Sequence, residues 1–236
     1  LHVHRTGDHF VDDRANGTNI SAMKNDLGLL QQLQLDEQFH AHVLFSLGHK
    51  LAIDKCKFYL ATFCRDKIRH RHKLIAEEPG EMQIQETFTS NPVPVRRLEP
   101  HQAHESLGCE LAIDGNQNQQ LQKVTGTMLH WKTKIQLSTL TNDDRNTAYD
   151  NYLKKSLQYR FASSSFNEQD CINLDRIISP ILLNAASTQR NSARAVLYCP
   201  LKYGGFGFLN TWCLQGMEKL RFFIMHYRRH DVTGQL

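Results

Sequence analysis

Phe10-Val11-Asp12-Asp13 places two consecutive carboxylates behind an aromatic and a β-branched residue, and a turn-prone Asn16-Gly17 follows. Aromatic and β-branched residues suit a half-buried strand, and Asn-Gly suits a tight reversal. The Asp pair is therefore expected at or near the tip of a β-hairpin. Along a regular strand two adjacent carboxylates face opposite ways, but a turn can aim both at one point. Divalent cations want hard oxygen ligands of this kind, and phosphoryl transfer uses two such cations about 3.5–4 Å apart. A solvated pair of turn residues has the same local composition, so the rest of the chain must decide what the pair is for.

The 236 residues allow one large domain or two small ones, and 40% hydrophobic with 22% charged residues excludes wholesale disorder. No apolar run approaches the ~18 residues that a membrane-spanning helix needs. No membrane partner is expected, and the location expected is intracellular, in the cytoplasm or nucleus. The chain begins with Leu1 and has no basic-then-apolar leader, so it reads as a piece of a longer product. Net charge is +4, concentrated in one cluster at Arg65, Lys67, Arg69, Arg71 and Lys73 with His70 and His72, and another at Arg228-Arg229-His230. Such clusters favour polyanions or make solvated basic loops. Six separated cysteines without a Cys-x-x-Cys pair read as reduced thiols, and the thirteen histidines complete no zinc-ligand pattern.

Residues 20–47 carry a helical period through Ile20, Met23, Leu27, Leu30, Phe39, Val43 and Leu47, which predicts one apolar face. Asn19 or Ser21 could cap its start, and Gly48 its end. Residues 51–63 predict one or two strands. Residues 79–100 hold four of the six prolines (Pro79, Pro92, Pro94, Pro100), so regular structure is expected to lapse there. Residues 107–113 predict a strand closed by Asp114-Gly115. Helices are expected over 116–137, 141–159 and 167–187, opened by Thr141 to Asp144 and Asn167 to Asp170, with a glycine-rich bend at 203–208 and a last helix at about 210–229. The fold class expected is α+β: a small antiparallel sheet with a packed helix in residues 1–115, then a mostly helical region in 116–236.

In this order the parts resemble a reverse transcriptase of the non-LTR retrotransposon type: Phe-Val-Asp-Asp, an amphipathic helix, a Lys-Cys strand at Lys55-Cys56, Leu107-Gly108, a helical region, and Tyr203-Gly204-Gly205-Phe206-Gly207 behind Pro200. The resemblance implies a partial polymerase palm in 1–115 and a helical thumb-like region in 116–236. It implies that Asp12 ligates Mg²⁺ or Mn²⁺, with Asp13 beside it, once the full palm is present. It implies further that Lys55 lies near the triphosphate, with Lys57 as its competitor, and that Leu107-Gly108 matches the primer-grip hairpin. Lys132 and Lys134, with Lys154 and Lys155, would then track the phosphates of an RNA template and DNA primer. Deoxynucleoside triphosphates would be the substrates.

The chain also departs from that pattern. An upstream strand with a third carboxylate, the fingers and the template-holding segment are missing from these 236 residues. The flanks Arg5-Thr6-Gly7-Asp8-His9 and Arg14-Ala15-Asn16-Gly17-Thr18 are polar, so the hairpin is expected to pair poorly. Catalysis by this chain alone is not expected. The competing readings are a non-catalytic nucleic-acid-binding remnant and a helical interaction module with no nucleic-acid role.

Overall fold

A computed structural model describes residues 4–10, 13–19, 26–65, 70–188 and 192–229. The architecture is α+β, with small sheets and long helices. The chain divides into two compact units, residues 1–107 with 111–116, and residues 108–110 with 117–236.

In the first unit β1 (His4–Phe10) and β2 (Asp13–Asn19) pair antiparallel through seven residue pairs, from His4↔Asn19 to Phe10↔Asp13. The polar flanks do not prevent pairing, because the ladder is made by backbone groups that every one of these residues carries. The reversal expected at Asn16-Gly17 is corrected: both residues lie inside β2, facing Gly7 and Thr6. The closing pair Phe10↔Asp13 leaves a two-residue connection, the length that tight hairpins use.

Helix α1 spans Asp26–Ser46; residues 20–25, where the periodicity places its start, lie outside the described residues, and Asn19 belongs to β2. Its end is as expected at Gly48 (φ +82°): the Gly48 N–H donates to Phe45 O (3.0 Å) and His49 N–H to Leu44 O (2.9 Å), the two bonds of a Schellman motif. The apolar face is not as expected. Ile20 and Met23 lie outside the described residues, and Phe39, Val43 and Leu47 are exposed. Leu30 is buried as expected, but it is joined by Ala41, and the helix turns Gln38 toward a sheet edge.

β3 (Lys57–Phe58) is followed by a separate hairpin of β4 (Phe63–Arg65) and β5 (His70–His72). Residues 79–100 are a second correction. They contain β6 (Met82–Ile84) and β7 (Val93–Arg97), which with β3 form the sheet β3-β7-β6. Pro94 is accommodated because Gln83↔Pro94 alternates with Met82↔Val95 and Ile84↔Val93, and β3 joins β7 only at Arg96 and Arg97. No ladder bond then depends on the missing N–H. The β3–β7 pairing is parallel, where an antiparallel sheet was expected. Phe58, Met82, Ile84 and Val95 form this unit's core with Leu30, Ala41 and Ile53. The Gln38 amide clamps the end of β6, donating Nε2–H to Gln85 O (3.0 Å) and accepting the Gln85 N–H at Oε1 (2.8 Å).

β8 (His104–Ser106) and β9 (Cys109–Leu111) follow. The second unit is helical: α2 (Asn118–Leu137), α3 (Asn142–Ala148), a π-helical turn Tyr149–Leu153, α4 (Lys154–Phe161), α5 (Glu168–Ala185), α6 (Arg194–Tyr198) and α7 (Thr211–Arg229). Thr141 and Asn167 open α3 and α5 with capping boxes, as their spacing to Asp144 and Asp170 predicts. The core is a stripe of each helix, including Val124, Met128, Leu153, Phe161, Leu174, Ile181, Leu182 and Leu197. In α5, Pro180 cannot donate to Arg176 O, and the Ser179 hydroxyl reaches that carbonyl at 3.5 Å. Gln215 repeats the device of Gln38, accepting the Phe166 N–H (3.0 Å) and donating to Phe166 O (3.1 Å), here fully buried.

Candidate nucleic-acid interface

Asp13 is the first residue of β2, opposite Phe10 at the connecting end of the hairpin; Asp12 lies outside the described residues. Lys55 is exposed on a turn, its N–H donating to Ala52 O (3.0 Å), and not on a strand as expected. Two residues on, Lys57 is exposed on β3. Among the described residues no group of three or more His, Cys, Asp or Glu side chains is placed to hold a metal ion. Aspartate oxygens are the right kind of donor for Mg²⁺, but two carboxylates are too few for its octahedral shell without further protein or substrate ligands. The described residues therefore do not complete a two-metal centre.

The basic cluster is split and partly neutralised. Arg65 closes β4, Arg71 and Lys73 lie on and just after β5, and Lys67 and Arg69 lie outside the described residues. The Arg71 guanidinium makes a forked bond to Glu77, Nη1 to Oε2 at 2.7 Å and Nη2 to Oε1 at 2.5 Å. That fork, helped by the Leu74 N–H, holds the Glu77 carboxyl down at about 2. Lys73 Nζ donates to Glu78 Oε2 (2.9 Å), which also accepts from Thr62 Oγ1 (2.7 Å). The sequence between the basic residues and Pro79 carries their counter-charges. Two of the five cations thus spend their hydrogen-bonding directions on glutamates.

Leu107 (φ +49°) and Gly108 (φ +80°) form the reversal between β8 and β9. Two consecutive positive φ values are the signature of a type I′ turn. The strand expected from 107 therefore begins at Cys109. In the second unit, α2 carries Lys132 half-buried and Lys134 exposed, about 200° apart around the helix. They do not share a face, and Lys154 is paired with Asp150 at 3.3 Å. The helical unit has basic residues, but Lys132 and Lys134 do not line up as one track.

One arrangement escaped sequence reading. His70, His72 and His101, with Arg71 and Asp114, line a cavity of about 270 Å³ in the first unit. The His70/His72 spacing along a strand was the available signal, since alternate residues share a face; nothing in the sequence brings His101 to them.

Compared with known protein families, curated proteins and solved structures, the chain matches none.

Buried titratable groups in the helical unit are structural. Asp175 accepts the Thr211 N–H (2.9 Å) and hydroxyl (2.6 Å), tying α5 to the start of α7, and burial raises its carboxyl. Burial pushes the Cys171 thiol up to about 11 and the Tyr198 phenol up to about 12. A thiol raised in this way is a poor nucleophile at neutral pH. The Gly204-Gly205 bend is structural too. A Cβ on Gly205 would lie 2.1 Å from Cys199 O, and Phe206 and Phe208 N–H donate to Val196 O and Leu197 O at 3.0 Å each.

Proposed function

We propose that the chain is a palm-and-thumb part of an RNA-directed DNA polymerase, which holds an RNA template and DNA primer and by itself transfers no nucleotide. The observation that supports this reading is the hairpin register: Asp13 opens β2 opposite Phe10, at the connecting end of two fully paired strands. A hairpin, a helix, a small sheet and then a helical unit follow one another in the order the resemblance implies.

In this reading Asp12 and Asp13 contribute carboxylate oxygens toward Mg²⁺ or Mn²⁺ once further ligands are supplied by the rest of a palm. The bound metals would lower the pKa of the primer hydroxyl and steady the leaving pyrophosphate. Lys55, exposed on its turn, would approach the triphosphate in this reading. Leu107-Gly108 stands at a tight turn, with the Leu107 side chain exposed. Lys134 and Arg65 offer charge to phosphates, whereas Arg71 and Lys73 are committed to Glu77 and Glu78.

A second reading keeps nucleic-acid binding and drops catalysis altogether. It draws only on exposed cations such as Arg65 and Lys134, which need no metal centre. A fluorescent RNA–DNA hybrid titrated with the full chain tests both. Lys134→Gln should reduce the dependence of affinity on salt by about one phosphate contact, and Asp12→Ala with Asp13→Ala should leave binding intact. Affinity indifferent to salt would refute both readings.

A further inference from the structure

Three contacts lay α2 alongside the helix that runs from the π-helical turn through α4, in the opposite direction. Gln120 Nε2 donates to Ser164 Oγ (3.3 Å) just past α4, Arg160 Nη1 donates to Thr127 Oγ1 (2.6 Å), and Trp131 lies against Tyr152. The two rings are stacked, with centroids 5.9 Å apart and planes 26° from parallel. Trp131 is half-buried and backs onto the hydrophobic core, whereas Tyr152 is 60% exposed. Trp131 is thus a fixed support, and Tyr152 is an outer ring held against it with much of its surface in solvent. Tyr152 is carried on the π-helical turn Tyr149–Leu153, a geometry that is rare and concentrated at functional sites.

The ring pair stands among cations. Lys134 is one turn past Trp131, Lys155 is three residues past Tyr152, and Arg160 is tied to Thr127, one turn before Trp131. Among the described residues none of these three has a carboxylate partner. Neither α2 nor α4 contains an acidic residue, and Asp150 beside Tyr152 is paired with Lys154 at 3.3 Å. Asp143 and Asp144 open α3, about 12 Å along the axis from Tyr152. The chain's net charge of +4 comes from the helical unit, because acids outnumber lysines and arginines in residues 1–107 with 111–116.

This combination decides between occupants. A flat ring with cations around it is what an unpaired nucleobase and its backbone require, a π-face for the base and charge for the phosphates. Bases inside a duplex are already stacked on one another and would leave the ring unused. An acidic peptide would meet the cations but not the ring, and a second copy of this chain would bring like charges together. No helix among the described residues is long and apolar enough to cross a membrane. A bilayer would have to be met at its surface, where one ring pair between cations buries little apolar area.

We propose that Trp131 and Tyr152 form a platform on which an unpaired base of a single nucleic-acid strand stacks, with Lys134, Lys155 and Arg160 receiving its phosphates. The proposal rests on the nucleic-acid-binding part of the reading above and on none of its metal chemistry.

The test uses the full chain and fluorescence anisotropy of labelled strands of about 12 nucleotides. Ribo- and deoxy-strands of one sequence are compared with an abasic strand of the same length and charge and with a blunt RNA–DNA hybrid. Base-bearing strands should bind about tenfold more tightly than the abasic strand, and the two sugars should differ by less than that, because a π-face is read. Tyr152→Ala should remove this advantage and Tyr152→Phe should keep it, with the blunt hybrid unchanged in both. Lys155→Gln should reduce the steepness of the salt dependence on single strands by about 0.7. Tyr152 is exposed, so an unchanged thermal midpoint shows that the fold survives, and the abasic comparison needs no variant. Five outcomes would overturn the proposal: no single-strand binding by the folded chain, equal affinity for abasic and base-bearing strands, the advantage kept in Tyr152→Ala, the advantage lost in Tyr152→Phe, or a preference of about tenfold or more for one sugar. Hybrid binding without single-strand binding would refute this proposal alone, whereas affinity indifferent to salt would remove the reading beneath it.

Discussion

Replacing Gly205 with alanine is expected to detach the 203–208 bend from α6. The added methyl carbon would lie 2.1 Å from Cys199 O and 2.4 Å from Cys199 Cβ. Neither is the end of a flexible side chain that could swing aside, so the backbone must move. Four backbone bonds cross this junction: Gly205 N–H to Pro200 O (3.3 Å), Phe206 to Val196 (3.0 Å), Gly207 to Cys199 (2.9 Å) and Phe208 to Leu197 (3.0 Å). Behind them Phe208 is buried edge-on against Tyr149, with ring centroids 5.3 Å apart. Losing half of the bonds at about 1 kcal/mol each, with part of a buried phenylalanine at about 1.5–3 kcal/mol, lowers stability by about 3–5 kcal/mol. Urea unfolding followed by tyrosine and tryptophan fluorescence measures this. Gly126→Ala is the internal reference. Nothing lies within 4 Å of a Cβ there, mid-way along α2, so that change should raise stability by about 0.5–1 kcal/mol. If Gly205→Ala unfolds within about 1 kcal/mol of the parent, the close approach and the reasoning from it are wrong.

Three further outcomes follow from the same contacts. Gln215→Leu keeps the volume but strands the Phe166 N–H and C=O, and should destabilise by about 2–5 kcal/mol in urea melts. Asn167→Ala removes the side-chain acceptor of the α5 capping box, and should cost about 1 kcal/mol by the same assay. Glu77 has its carboxyl lowered in the fold from 4.5 to about 2, so the folded chain binds fewer protons there than the unfolded one. Its contribution is complete above the ordinary glutamate value and is lost as pH falls toward about 2. Glu77→Gln should therefore flatten the acid limb of the stability profile below pH 4.5, seen as thermal midpoints converging with the parent's as pH falls.

Local chemistry made the helical unit legible. Thr141 with Asp144, and Asn167 with Asp170, each satisfy two backbone groups within four residues, so no distant partner is needed to specify the start of α3 or α5. Gly48 ends α1 for the same kind of local reason. What failed were inferences about partners distant in sequence. Phe39 and Val43 have helical spacing, yet the sheet that receives α1 meets the face of Ala41 and Gln38, because Gln38 is needed at the edge of β6. The prolines of residues 79–100 looked prohibitive until pairing showed Pro94 between ladder bonds. Asn16-Gly17 is a strong turn signal, but the register set by the closing pair Phe10↔Asp13 overrides it. Among candidate site residues, Arg71 and Lys73 read as open cations in isolation, and only the fold brings Glu77 and Glu78 to them.

The central claim is that this chain holds a primed template. The most direct measurement is fluorescence anisotropy of the full chain on two hybrids of equal length and charge, one with a recessed DNA primer on an RNA template and one blunt. The polymerase reading predicts salt-dependent binding to both, with clear preference for the recessed end. Equal affinity would reduce the chain to a non-catalytic nucleic-acid binder, and no binding at low salt would contradict the account outright.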